Sequence, residues 1–237
     1  MALKSNSDDA SRTLAESARY ALLRRLAPLL RHEAVAPLQP IAMTAGVLER
    51  RLRDPATPLA QVQETAARLA GYARAGIESC LDLLEWVAPA APAGVSLQQA
   101  VHDTLALLQG SLALRGVTLH DQVPGDLECP DGARLRYVLP ACLLWLIDSA
   151  GSPAEVTLCA QSAGDRLQLM LDLQPTEGVP GLEDAPVYRP LREEQVQALA
   201  RDEGVELTRE GDTLTLSLTR IHPTTDGERR HEANSPS

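Results

Sequence analysis

The stretch Leu29-Leu30-Arg31-His32-Glu33-Ala34-Val35-Ala36-Pro37-Leu38 decides how the first half of the chain folds. It places a histidine next to a carboxylate within a helical pattern, and a proline follows five residues after the histidine. A proline inside a helix removes a backbone hydrogen bond and bends the chain. We therefore predict a long helix that kinks at Pro37, immediately after His32.

Apolar residues recur every three or four positions on both sides of this stretch, from Leu23 to Leu52. That period predicts one amphipathic helix, beginning near Ser11, with a single narrow buried face. At about 100° per residue, His32 points away from this face. Arg25, which lies seven residues earlier, is on nearly the same side as His32. We therefore expect His32 to be exposed to solvent.

A second helical pattern follows a strong break. The segment Asp54-Pro55-Ala56-Thr57-Pro58 ends the first helix, and apolar residues with the same spacing then run from Val62 to Val87. Two helices joined by so short a loop pack antiparallel. Because two helices alone do not enclose a core, we expect two copies of this hairpin to form a four-helix bundle in a homodimer.

The composition limits the classes of function. The net charge of -10 and the pI of about 5.0 argue against general nucleic-acid binding. No apolar run is long enough to span a bilayer and no signal peptide is recognisable, so we expect a cytoplasmic protein that does not bind a membrane. The cysteines match no zinc motif, and we expect neither a metal site nor a cofactor site. They are Cys80, Cys129, Cys142 and Cys159.

The second half of the chain has a different pattern. Residues 89–94 have the composition of a linker, and helix and strand patterns then alternate as helix, strand, helix, hairpin, helix, hairpin. That order predicts an α/β sandwich with helices on one face of a sheet. The expected fold is thus α+β, with a disordered N-terminus at 1–10, a helical hairpin at 11–88, the sandwich at 95–220 and a disordered tail at 221–237. The helices are predicted at 97–114, 131–149 and 191–203, and the strands at 117–119, 155–161, 166–173, 205–209 and 213–219.

The stretch around His32 resembles the phosphoacceptor box of histidine kinases, in which His-Glu is followed by three variable residues and then Pro-Leu. His32, Glu33, Pro37 and Leu38 occupy those positions. The order of elements after the hairpin resembles the ATP-binding domain of the same family. Residues 134–139 are similar to the start of the helix that carries the family's asparagine box.

The resemblance to the ATP-binding domain does not extend to the residues that bind magnesium and the nucleotide. The magnesium-binding asparagine should fall near Ala141 or Trp145, and neither side chain can hold a metal. The family's aspartate-and-glycine motif corresponds at best to a remnant at 173–181, and residues 182–190 are too few for a glycine-rich lid. We infer that this domain has kept the fold and does not bind ATP.

The whole layout is similar to that of the dimeric histidine phosphotransferases. The resemblance implies a phosphorelay in which His32 is the nucleophile and Glu33 the base, with Arg25, Arg31 and Pro37 holding the phosphoryl group or the partner. The partners would be response-regulator receiver domains, and the receiver would bring the magnesium. Two alternatives remain open: a diverged ATP-dependent histidine kinase, or a non-catalytic dimeric scaffold that binds a receiver. Without its neighbours, His32 would be an ordinary exposed histidine on a helix.

Overall fold

The computed structural model describes residues 2–87, 95–125, 127, 132–151, 153–177 and 189–219. The predicted linker at 89–94 and the predicted tail at 221–237 lie outside these ranges. The described helices are α1 (Ala2–Val35), α2 (Leu38–Arg53), α3 (Leu59–Val87), α4 (Leu97–Leu114), α5 (Leu135–Ala150) and α6 (Glu193–Asp202), with a 3-10 turn at Gly132–Arg134 before α5. The described strands are β1 (Val117–Gln122), β2 (Ala154–Ala163), β3 (Arg166–Pro175), β4 (Glu206–Glu210) and β5 (Thr213–Thr219).

The strands form one mixed sheet in the order β1-β2-β3-β5-β4. β1 runs parallel to β2, and the other neighbouring pairs are antiparallel. Alternate residues of β2, β3 and β5 are buried, while those between them are exposed or half-buried. Helices cover only the buried face, which confirms the predicted α+β class. β1 extends beyond the predicted Leu119 because its pairing with β2 continues as far as Gln122.

Helix α5 is the centre of the core. It packs between the sheet and helices α1, α4 and α6, so it has no wide solvent-facing side. Its residues from Val138 to Ile147 are all buried, including Pro140. An apolar sequence without a clear polar face is what such an enclosed position requires.

Helix α1 differs from its prediction at both ends. It begins at Ala2, so residues 2–10, which we predicted as disordered, continue the helix; no proline or glycine interrupts them. At its other end the expected kink is a full break, with turn residues at Ala36 and Pro37 before α2 begins at Leu38. Pro40 lies in the first turn of α2, where a missing N–H leaves no intrahelical bond unmade.

The middle of α1, from Ala15 to Leu26, packs on the sandwich. Helix α1 contacts mainly α6 and, to a lesser extent, α5 and α3, whereas its apolar face from Leu23 onwards was predicted to pack mainly on the second helix of the hairpin. Its fully buried residues are Ala15, Ala18, Leu22 and Leu26. Small alanines allow two helix backbones to approach closely, and Arg19 adds contacts of 2.6 Å to Asp202 and to Glu203. The helix that carries His32 is therefore fixed to the α/β sandwich.

Helices α2 and α3 form the hairpin. None of the α2 residues is buried, and several large apolar side chains of both helices remain exposed. In α3 the predicted apolar face is only partly covered: Val62, Leu69 and Ala73 are half-buried, but Ile77 and Leu84 are 62% and 60% exposed. The exposed set on the two helices is Leu38, Met43, Leu52, Leu59, Tyr72, Ile77, Leu81 and Leu84. No helix of the described ranges is both long and apolar enough to cross a membrane.

Candidate functional site

His32 lies in the last turn of α1. The N–H of Ala36 donates to the His32 carbonyl at 2.9 Å, and the helix stops there because Pro37 follows. His32 and Glu33 are both exposed, in agreement with the expectation for His32. The imidazole is therefore open to an incoming molecule.

A cleft of about 900 Å³ lies between the end of α1, helix α4 and the end of α5. His32 and Glu33 both line it, so the two adjacent side chains reach the same space. Apolar side chains, among them Leu107 and Leu144, form much of its wall. The cleft is thus a mostly apolar surface with an imidazole and a carboxylate at one end.

Three charged side chains meet in the same cleft. The guanidinium of Arg25 donates to both carboxylate oxygens of Asp148, one of them at 2.7 Å, and Arg115 donates to Asp148 at 2.9 Å. The Arg25 and Asp148 side chains are only 13% and 11% exposed. Two cations share one anion, so the cluster keeps a net positive charge. Arg25, which we predicted to bind a phosphoryl group, is held by Asp148 in this structure.

A second cleft of about 410 Å³ lies on the other side of Glu33, between α3, α4 and the start of α5. Its polar lining includes Asp82, Asp103 and Arg136. Glu33, Ala106 and Leu107 line both clefts, so the two form one groove along α4 that passes the last turn of α1, which carries His32.

The remaining predicted site residues lie close to His32 along the chain. Arg31, immediately before His32, is exposed. Pro37 is half-buried at the break, where Gly76 of α3 faces it. Sequence reasoning missed Asp148, Arg115 and Ser79. A lone carboxylate at the end of the apolar α5 pattern could have indicated Asp148, but the sequence does not say which arginines meet it.

The positions where the resemblance would place a metal-binding asparagine are buried. Ala141 is fully buried, and Trp145 is 6% exposed with the Arg209 guanidinium 5.0 Å from its ring centre. Burial also raises the pKa of the neighbouring Cys142 thiol, which is an inert core group. Among the residues that the structure describes, no cluster of three His, Cys, Asp or Glu side chains is arranged to hold a metal ion.

Comparison with known proteins gives only structural similarities. No protein family profile and no curated protein matches the chain. Histidine kinase AdeS of Acinetobacter baumannii is 11% identical, with a TM-score of 0.40 over 81% of this chain and 98% of its own. Histidine kinase ThkA, solved in complex with the response regulator TrrA, is 14% identical, with a TM-score of 0.43 over 92% of this chain and 66% of its own. A bacterial phosphotransferase is 12% identical, with a TM-score of 0.39 over 83% of this chain and 94% of its own. The chain is thus similar in structure to histidine kinases, and we base the proposal below on its own residues.

Proposed function

We propose that this chain is a histidine phosphotransfer protein of two-component signal transduction. It would pass a phosphoryl group through His32 between aspartates of response-regulator receiver domains, as a homodimer and without ATP. The observation that carries the proposal is the placement of His32: an exposed imidazole in the last turn of α1, beside Glu33, at the end of a cleft of about 900 Å³.

The chemistry needs only a nucleophile and a proton acceptor. A neutral imidazole has one unprotonated ring nitrogen, whose lone pair attacks the phosphorus of an aspartyl phosphate. The N–P bond forms, the P–O bond to the aspartate breaks, and its electron pair returns to the receiver's carboxylate. Glu33 would accept the proton from the other ring nitrogen. The reverse sequence delivers the phosphoryl group to a second receiver.

The cluster of Arg25, Arg115 and Asp148 has a net positive charge, which would attract the negatively charged phosphoryl group. Arg25 lies two turns before His32 on the same side of α1, roughly 10 Å along the helix axis. Its guanidinium could bind phosphoryl oxygens in the paired geometry that arginine favours, if it left Asp148. Arg115 would then remain with Asp148, so the carboxylate would not be left alone. Arg31, exposed next to His32, is a second cation available to an acidic receiver.

Two residues of α5 support the proposal that the α/β sandwich does not use ATP. A bound nucleoside triphosphate requires a cation or free backbone amides to neutralise the charge of its phosphates. At the corresponding positions the chain carries the buried Ala141 and Trp145. We expect the receiver, rather than this chain, to bring the magnesium.

Replacing the nucleophile tests the proposal. Purified wild-type protein mixed with a radiolabelled, phosphorylated receiver should acquire the label, and His32→Gln should acquire none while its oligomeric state is unchanged. His102→Gln is the matched control, because His102 is an exposed histidine on α4 that does not line the cleft. Equal labelling of wild type and His32→Gln would disprove the relay.

The two alternatives give different results in the same assay. A diverged ATP-dependent kinase would incorporate label from γ-labelled ATP in the absence of any receiver. A non-catalytic scaffold would bind the receiver equally well as wild type and as His32→Gln, and neither protein would become labelled.

A further inference from the structure

The carbonyl of Glu33 lies at the break that ends α1, and the proline at position 37 denies it its helical partner. In an α-helix, the carbonyl of residue i accepts from the N–H of residue i+4. The carbonyl of Glu33 would therefore accept from residue 37, but that residue is proline and has no N–H. The preceding carbonyl, that of His32, is satisfied by Ala36. The unmade bond thus lies at the residue next to the proposed nucleophile.

A side chain from α3 supplies the missing donor. The hydroxyl of Ser79 donates to the Glu33 carbonyl at 3.3 Å, across a separation of 46 positions in the sequence. Ser79 is half-buried, and it lines the smaller cleft together with Glu33. The hydrogen bond therefore joins α3 to the phosphoacceptor turn.

Gly76, one turn before Ser79, lies where α3 packs against the break. A Cβ atom at Gly76 would lie 3.4 Å from Cδ1 of Ile41 and 3.9 Å from Cβ of Pro37. These are ordinary van der Waals distances, so a methyl group at position 76 would contact Pro37 and Ile41, and a longer side chain would have to displace them. Gly76 is itself buried. The α3 segment from Gly76 to Ser79 is thus shaped to fit the break that Pro37 makes.

We propose that Ser79 is a positioning residue for phosphoryl transfer. It replaces the hydrogen bond that Pro37 removes and so holds the last turn of α1, with His32 and Glu33, in one orientation. Without the hydroxyl, the Glu33 carbonyl must turn toward water, and the two side chains spread over more orientations. This inference rests on the proposed function, and it assigns to α3 a role in the reaction rather than only in the hairpin.

The test is a double-mutant cycle between Ser79 and Pro37. Ser79→Ala should lower kcat for transfer from a phosphorylated receiver about fivefold to tenfold, the equivalent of one ordinary hydrogen bond. KM for the receiver should not change, because Ser79 acts on the turn. Ser79→Thr keeps the hydroxyl and should restore most of the rate. Pro37→Ala supplies an N–H at position 37, so in that background Ser79→Ala should change kcat less than twofold.

Ser149→Ala is the matched control. It removes a hydroxyl that donates to a helix carbonyl, that of Trp145 at 2.7 Å, but on α5, and Ser149 lines neither of the two clefts. Its kcat should equal that of wild type. The same set of variants is also unfolded in urea, so that coupling between positions 37 and 79 is measured in stability as well as in rate.

Each outcome decides something different. An equal loss of kcat on Ser79→Ala in both backgrounds, or no loss in either, would overturn the assignment of Ser79. If wild type transfers no phosphoryl group, the proposed function fails, and the unfolding data still decide whether Ser79 replaces the Pro37 donor. If Pro37→Ala abolishes transfer by itself, the same unfolding data decide: coupling supports the assignment and additivity overturns it.

Discussion

At the scale of single residues, Asp148 links α1, the helix that carries His32, to the sandwich. It is a carboxylate near the end of α5, and it accepts from Arg25 of α1 and from Arg115 at the end of α4. Because the Arg25 and Asp148 side chains are little exposed, water replaces this contact poorly when it is broken. The cluster therefore fixes the relative position of three helices that line the main cleft.

Removing this carboxylate should destabilise the fold. We expect Asp148→Ala to lower the free energy of unfolding by about 2 kcal/mol, because two partly buried guanidinium groups then lose their shared anion. Urea unfolding monitored by circular dichroism measures the change. Glu49→Ala is the control: it removes a carboxylate from the exposed Glu49–Arg53 pair on α2, and such pairs contribute less than ~0.5 kcal/mol. Equal effects of the two substitutions would mean that the Asp148 cluster does not anchor α1.

At the scale of whole elements, α3 contacts three parts of the chain. It packs on α2, Ser79 reaches the end of α1, and Trp86 near its C-terminal end reaches α5. There the hydroxyl of Tyr137 donates to the carbonyl of Trp86 at 2.7 Å. Burial raises the pKa of Tyr137 above its usual value, so the folded state favours the neutral phenol that can donate this bond.

This contact should depend on pH in the alkaline range. A folded-state pKa above the unfolded value means that the stabilisation is complete below pH ~10 and is lost as pH rises through the folded-state pKa. We expect Tyr137→Phe to be less stable than wild type by about 1 kcal/mol between pH 7 and 9, the contribution of one hydrogen bond. The difference should shrink above pH ~10. Urea unfolding of both proteins at several pH values measures it, and a difference that stays constant to pH 11 would contradict the assignment.

At the scale of the whole molecule, α1 and the hairpin of α2 and α3 differ in how much of their apolar surface this chain buries. The segment of α1 from Ala15 to Leu26 is buried against the sandwich of the same chain, whereas the hairpin of α2 and α3 leaves an apolar face exposed to solvent. Ile77, Leu81 and Leu84 of α3 lie on one side of that helix, at spacings of four and three. A contiguous face of this kind is what a second hairpin would cover in the proposed homodimer.

A charge placed on this face should dissociate the dimer. Ile77→Glu would bury a carboxylate twice in a symmetric interface, so we expect the dimer Kd to rise about 100-fold or more, the equivalent of roughly 3 kcal/mol. Light scattering after size-exclusion chromatography over a concentration series measures Kd. Ala75→Glu carries the same charge at an exposed position about 200° away around the helix, and should leave Kd unchanged. Monomeric wild-type protein at all concentrations would disprove the homodimer.

The sequence by itself determined the order of helices and strands in the second half, an irregularity in the helix at Pro37 and the exposure of His32, although the predicted kink is a full break in the structure. These features follow from local rules: period-2 and period-3.6 patterns, and a proline that lacks an N–H whatever surrounds it. The same rules were only partly right for α1. Leu26 of the predicted pattern is fully buried, but the side of α1 that packs on the sandwich also carries Ala15 and Leu22, which the pattern did not include.

Only the tertiary structure decided what α1 packs against, which side chain meets Asp148 and which donor satisfies Glu33. Arg25 and Asp148 are 123 positions apart, and Ser79 and Glu33 are 46 apart. The sequence shows that a buried charge needs a counter-charge and that an interrupted helix leaves a free carbonyl. It does not show the partner, because many arginines and hydroxyls could satisfy either group. The choice among them is made by the packing of helices on the sheet, which depends on all of their apolar faces at once.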